Sequence, residues 1–355
     1  MKHTVVTAFT LLAACLAFPL VASGGLFGAS ALGEVAVPVS GRSASLREDA
    51  LREGLGEVLV RMTGLPVATQ VPGGDVLLAR PTRWLEQYGY ADGDQGLLLR
   101  ATFNTDALSS ELARAGAPLW GETRPAALLW LVNESGAIVA REDESALVDG
   151  LRDRADYRGM PLRLPELDDE DRERIVAADI RGRFDRQISE ASARYQAGLV
   201  LTGVVYPGAR PSLRWRLLQD GQQVHEGTLD GADSDDAARL VAGLVDVVAD
   251  HVAALYSVVL GEDASLVLRI EALPDVRAHE QARAHVVGLA GMQSVRLTRL
   301  TGDSAEFNLA FSGSPLQLER LLRLHPSLAN CEELLAVEAE MQVGVLRVCW
   351  RGDDG

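Results

Sequence analysis

The chain has 355 residues, more than one ordinary compact domain holds, with 34 basic against 50 acidic side chains and a formal net charge of −16. With no basic tract, so acidic a chain is poorly suited to nucleic acid or to anionic lipid surfaces. Lys2 is the only lysine and there are 3 cysteines, which excludes a phosphate-loop lysine, a pyridoxal Schiff base, a zinc ribbon and an iron–sulfur cluster.

The first residues, MKHTVVTAFTLLAACLAFPLVASGGLFGASA, place Lys2 and His3 before an uncharged run from Thr4 to Ala22, and small residues follow. That order is a secretory signal peptide over residues 1–31, and export to the periplasm is expected. Cleavage after Ala31 would make Leu32 the first mature residue; Ala22 or Ser23 is the second choice. The run is also long enough to act as an uncleaved membrane anchor. Leu12-Ala13-Ala14-Cys15 reads as a lipobox in which Cys15 would be acylated. The apolar LAFPLVA after Cys15 speaks against that, because a lipid anchor needs a polar tether. Membrane association is expected only if the signal is retained or Cys15 is lipidated. Removing 31 of the 355 residues leaves 324, and loss of Lys2 moves the net charge from −16 to −17.

Residues 32–118 form a first α+β module. EVAVPVS alternates Val35, Val37 and Val39 as a strand. In REDALREGLGEVLVRMTGL the apolar residues Leu51, Leu55, Val58, Leu59 and Met62 make one helical stripe. Glu48 with Arg52 and Glu57 with Arg61 are acid-before-base pairs four apart, Ser43 can cap the start, and Gly64 can stop the helix. DVLLARPTRWLEQYGY is expected as a helix interrupted and restarted at Pro81, GLLLRATFN as a strand, and DALSSELARAG as a helix ended by Gly116.

Residues 119–260 form an α/β middle domain. AALLWLV is a continuous apolar strand for the middle of a sheet, and SALVDGLRDRADYRGM is a helix. The acids of ELDDEDRER, residues 166–174, are adjacent, so they point apart on a helix instead of converging on a metal, and they favour a helix start. LDGADSDDAA lacks a calcium-hand pattern, and Ser234 or Asp235 caps the following helix. AGLVLTGVVY is a buried strand, and SLRWRLLQ-DG-QQVHEGTL is a hairpin turned by Asp220-Gly221. ARLVAGLVDVVADHVAALY is a buried helix with His251 at its edge.

Residues 262–355 give β-α-β-β-α-β, a ferredoxin-like unit joined through Gly261-Glu262-Asp263. The fold class is therefore a multidomain α+β and α/β chain. Cys331 and Cys349 are the only mature cysteines, and an even count in an oxidising compartment favours a disulfide between them. The bridge requires NCEELLAVEAEMQ to bring Cys331 to the face of the last strand opposite Leu346, Val348 and Trp350; two buried, unlinked thiols are the alternative.

EVAVPV, the helix ending VLVRMTG, RWLEQYGY, LWGETRPAALLWLV, SVRLTRLTGDSAEFNLAFSG and LQLERLLRL together resemble the DUF2066 family. That resemblance implies an exported Gram-negative bacterial protein with no assigned activity. The middle section is weakly similar to the amino-terminal α/β domain of TolB-like periplasmic proteins. Neither supplies catalytic residues. No HExxH or GxSxG occurs, and His279 and His285, six apart, fall on different sides of a helix. The expectation is a non-catalytic envelope adaptor that binds periplasmic proteins without cofactor or metal. The alternative is a hydrolase using a carboxylate pair or a carboxylate–His pair.

Overall fold

The computed structural model describes residues 31–93, 96–233, 236–261, 263–325, 327–329, 331 and 345–351. The expected signal peptide and lipobox with Cys15, Ser234 and Asp235, and residues 332–344 of the segment after Cys331 lie outside the described residues; the N-cap position of the helix after Asp235 is held by Asp236, not by either residue expected there.

β1 (Glu34–Pro38) buries Val35 and Val37 and turns into α1 (Ala44–Thr63). Ser43 accepts from the Leu46 amide at 3.3 Å, and Gly64, at φ 73°, ends the helix in the left-handed conformation. Leu51, Leu55, Val58, Leu59 and Met62 are all buried, each stabilising the fold by about 1.5–3 kcal/mol. A short α2 (Gly74–Leu78) follows.

The chain then departs from the expected restarted helix. Leu85–Gly93 is a strand, β2, paired antiparallel with β3 (Gly96–Phe103) so that Tyr90 faces Leu99. A helix would leave the outer edge of β3 unpaired; strand pairing satisfies it and overrides the local apolar spacing. The first sheet has the order β1-β3-β2. α3 (Thr105–Arg114) closes over it, with Leu108 and Leu112 buried.

The middle sheet has the order β6-β5-β7-β8-β9: β5 (Ala127–Val132), β6 (Leu162–Arg163), β7 (Leu199–Tyr206), β8 (Ser212–Gln219) and β9 (Gln222–Asp230). β5 runs parallel to both neighbours and all six of its residues are buried, as a continuous apolar run requires. Asp220 and Gly221, at φ 52° and 72°, turn the β8–β9 hairpin. α4 (Ala146–Arg158) and α8 (Ala237–Tyr256) pack together on one face. The small helices α5 (Asp169–Arg174), α6 (Ala177–Gly182) and α7 (Asp185–Ser192) surround a second core at Trp130.

The last sheet contains β11 (Asp263–Glu271), β12 (Met292–Thr301), β13 (Ser304–Ser312), β14 (Leu328–Ala329) and β15 (Val345–Trp350), with helices α9 (Val276–Val287) and α10 (Pro315–Leu322). β11, α9, β12, β13 and α10 follow the ferredoxin-like plan. The final strand departs from it: β15 runs parallel to β11 and is inserted between β11 and β14, giving the order β12-β13-β11-β15-β14. The two-residue β14 takes the edge place, antiparallel to β15. The whole is a mixed α+β fold in several small sheets. Among the described residues no helix is long and apolar enough to cross a membrane.

Candidate functional site

Two connectors pair with each other. β4 (Pro118–Leu119), leaving the first module, pairs antiparallel with β10 (Val258–Val259), entering the last sheet. Beside this ribbon three elements enclose a half-open groove of about 460 Å³. One wall is α3. Its Leu108 and Leu112 point into the core, so the i, i+4 series Thr105, Ser109 and Ala113, with Asp106 and Ser110, lines the groove. Asn104 starts this helix by accepting from the Ala107 amide at 2.8 Å.

The second wall is the turn after α9, from Gly288 to Gln293. Gly288 donates to the carbonyls of Ala284 and His285 at 3.0 and 3.1 Å, and Ser312 donates to Gly291 at 2.8 Å, so the turn is tied to both α9 and β13. The floor contains Met62, Leu119, Trp120 and Leu260. Leu32, at the start of the described chain, stands at the rim.

The floor is held by buried arginines. Arg124 stacks on the Trp120 ring with 3.9 Å to the centroid and donates to the carbonyls of Gly121, Gly159 and Arg61 at 2.8, 2.5 and 2.6 Å. Burial, with Arg61 nearby, pulls its pKa down to about 9 against the opposing pull of Glu122. Arg61 donates to the Glu34 and Asp156 carbonyls and pairs with Glu57. Burial pushes the Glu57 carboxyl up despite Arg61. Arg158 joins Asp246, Asp250 and the Gly64 carbonyl. These arginines tie α1 to α4 and α8; they are not among the residues that line the groove.

The groove offers hydroxyls, backbone groups, the Gln293 amide and two carboxylates, Asp106 and Glu122. Among the described residues no histidine or cysteine lines it. The histidines pair elsewhere: His225 with His251, centroids 5.1 Å apart, and His285 with His325, 4.7 Å apart. Burial, then the neighbouring His325, lowers His285 to about 4.

The residues singled out in the sequence fall away from the groove. Cys331 and Cys349 are joined by a disulfide with Cα atoms 5.1 Å apart, at the end of the β14–β15 pair. Together with Glu271 they are the group of metal-type side chains found among the described residues, within 4.8 Å of one another. Both sulfurs are in the bridge, however, and Arg347 holds Glu271 at 2.7 Å. The acidic run heads α5: Asp168 caps it by accepting from the Asp171 amide at 3.0 Å, and Arg194 grips Asp168 with both terminal nitrogens at 2.6 and 2.8 Å. Arg194 holds the Asp168 carboxyl down at about 2. Asp171 is fully buried and accepts from the Tyr195 hydroxyl and the Leu167 amide. In the second acidic run Asp236 accepts from the Ala232 and Asp233 amides at 2.7 and 3.1 Å, closing the turn before α8.

The model of DUF8605, a domain of unknown function, matches residues 28–121. This corrects the resemblance to DUF2066, which does not stand; the likeness to TolB-like proteins drawn with it is dropped. The matched span covers the first sheet, α1 to α3, and ends at Trp120 and Gly121 on the groove floor. No curated protein matches the chain. Among solved structures the chain is similar to the PelC dodecamer from Paraburkholderia phytofirmans, at 16% identity over 36% of this chain and 85% of that one. The TM-score is 0.19, too low for the likeness to bear on fold or function.

The groove was not marked in the sequence. Its lining is ordinary serines, glycines and a connector Trp, drawn from positions as far apart as Leu32 and Gln293. The hydroxyl-bearing face of α3 opposite Leu108 and Leu112 is the local feature that could have marked it.

Proposed function

We propose that the chain is an exported, non-catalytic binding or adaptor protein of the cell envelope, and that the groove takes an extended apolar segment of protein. The observation that carries this reading is the groove's chemistry. An apolar floor of Met62, Leu119, Trp120 and Leu260 lies under walls rich in hydroxyls and main-chain groups. Such a surface receives side chains below and satisfies a peptide backbone along its sides. Three separate parts of the chain build it, so a partner seated there touches all of them.

Crosslinking in periplasm followed by affinity capture tests the reading. A recurring envelope protein should co-purify with the intact chain and be lost with Ser109→Trp, which fills the groove. Capture unaffected by Ser109→Trp would remove the groove from the proposal. Asp106 and Glu122 in the same groove support the second reading, a carboxylate-pair hydrolase. It requires a hydrolytic activity that both Asp106→Asn and Glu122→Gln abolish without loss of stability.

A further inference from the structure

We propose that the outer edge of β12 is a strand-addition site for a partner segment that alternates apolar and acidic residues, continuous with the segment seated in the groove. For that continuity alone the inference rests on the groove reading; the edge stands on its own observations. β12 (Met292–Thr301) has 10 residues and ends the sheet order β12-β13-β11-β15-β14. β13 pairs with one side of its backbone, and among the described residues no strand pairs with the other. The free side is a row of N–H and C=O groups able to receive a strand. Edges of this length are usually blunted by proline, inward charge or a cover. β12 contains no proline. Its pairing shifts twice, at Met292/Ser294 and at Leu297/Arg299, but Ser294 to Leu297 keeps unbroken register with Ala310 to Phe307.

The side chains fix what an added strand must carry. Val295, Leu297 and Leu300 stand opposite Leu309, Phe307 and Ala305, which are buried in the core shared with α9 and α10. Leu297 and Leu300 are nevertheless 43% and 61% exposed, since β12 is the last strand of the sheet. Apolar side chains on a neighbouring strand would lie about 4.5–5.5 Å from them and extend the core.

The opposite face of β12 carries Arg296 and Arg299, across from Asn308 and Glu306. Both arginines are exposed, and among the described residues neither has an ion-pair partner; Glu306 is already held by Arg269 at 3.0 Å. Two unpaired guanidiniums beside a free edge select carboxylates on that face of the added strand. Salt screens charge beyond about 8 Å, so this local pair and not the distant net charge decides the contact. The same arginines disfavour a second copy of the chain, because antiparallel pairing of two β12 edges sets one arginine row against another. Met292 and Gln293 belong both to the groove lining and to β12. A segment leaving the groove along that wall is therefore delivered to the first residues of the free edge.

The test uses the full chain, purified, and a fluorescein-labelled synthetic peptide of alternating valine and glutamate, matched to β12 in length. Anisotropy should show saturable binding, weakened at least ten-fold when lysine replaces glutamate in the peptide. Arg296→Glu with Arg299→Glu should reverse that preference; both positions are exposed, and an unchanged melting temperature checks that the fold is kept. The amides of the valines and of the glutamates point to opposite sides of a strand, so N-methylation of one set should abolish binding. No saturable binding, equal affinity for the two peptides, or a preference that survives the double substitution each overturns the inference. Binding retained by both N-methylated forms, or a dimer that crosslinks through β12, overturns it as well. If the peptide binds as expected while Ser109→Trp leaves partner capture intact, the edge stands and the groove reading fails. If the peptide fails while Ser109→Trp abolishes capture, the edge falls and the groove reading stands.

Discussion

Arg158 on α4 and Asp246 on α8 form an ion pair at 2.7 Å, with the arginine wholly buried and the aspartate part-exposed. The other terminal nitrogen of Arg158 reaches Asp250 at 2.6 Å and the Gly64 carbonyl at 2.9 Å. One guanidinium therefore joins α4 and α8 to the C-terminal end of α1. Only a planar fork can serve acceptors in these separate directions. Breaking one side of a buried pair costs more than forming it stabilises, because the remaining charges lose their partner.

Arg158→Met should accordingly lower the unfolding free energy by about 3 kcal/mol. Arg154 still pairs with Asp246 and Asp250 is half exposed, which keeps the loss at the lower end of the range. Arg158→Lys should recover less than half of it, since one ammonium cannot reach all three acceptors. Urea denaturation of both variants measures this; a Lys variant as stable as the parent would show that only the charge matters.

The same joint depends on Gly64. At φ 73° it holds a conformation that side chains resist, and an added Cβ would collide with the Ala253 Cβ and stand 3.1 Å from the Trp120 ring. Gly64→Ala should destabilise the chain by about 2–4 kcal/mol, more than the helix-end conformation alone would cost. A melting temperature within a degree or two of the parent would mean that the contact of Gly64 with α8 is dispensable.

Much of this was readable in advance. The α1 stripe, the Glu57–Arg61 pair, the Asp220-Gly221 turn and the buried β5 all follow from contacts within one element. What could not be read depends on neighbours distant in sequence. Leu85 to Gly93 has apolar spacing that suits a helix, and it becomes a strand because β3 offers an open edge. β15 runs parallel to β11 because β14 occupies the edge first, and two residues of strand leave almost no pattern. The groove joins Ser109, Trp120 and Leu289, none of them unusual alone. The acidic run at 166–174 was correctly read as a helix start, since its role is settled by adjacent residues such as Asp168 capping Asp171.

The Cys331–Cys349 disulfide gives a chemical prediction. The residues are 18 apart in sequence, so the closed loop is short and the chain-entropy model allows about 3 kcal/mol of stabilisation. A chain carrying Cys15→Ser, purified and denatured without reductant, should take up no thiol label, and two labels after reduction. Cys349→Ser should lower stability by about 2–3 kcal/mol. Two labels before reduction would refute the bridge.

Acid sensitivity should trace in part to His285. Its ring lies 4.7 Å from His325, which itself lies 5.5 Å from Trp350, and its Nε2 is buried with no hydrogen-bond partner among the described residues. Burial first, then His325, holds the folded-state pKa at about 4, with backbone bonds to Leu321 and Leu322 opposing. An unfolded histidine titrates near about 6.5. Between those values the unfolded chain binds more protons, so the neutral ring's contribution is complete above about pH 6.5 and is lost as pH falls towards 4. After discounting for partial exposure the loss is about 1–2 kcal/mol. His285→Phe keeps the ring shape and removes the titration, while the other histidines and the carboxylates are common to both proteins and cancel. The variant should therefore gain about 1–2 kcal/mol relative to the parent when urea denaturation at pH 4 is compared with pH 7.5. An equal difference at the two pH values would mean that His285 does not couple protonation to folding.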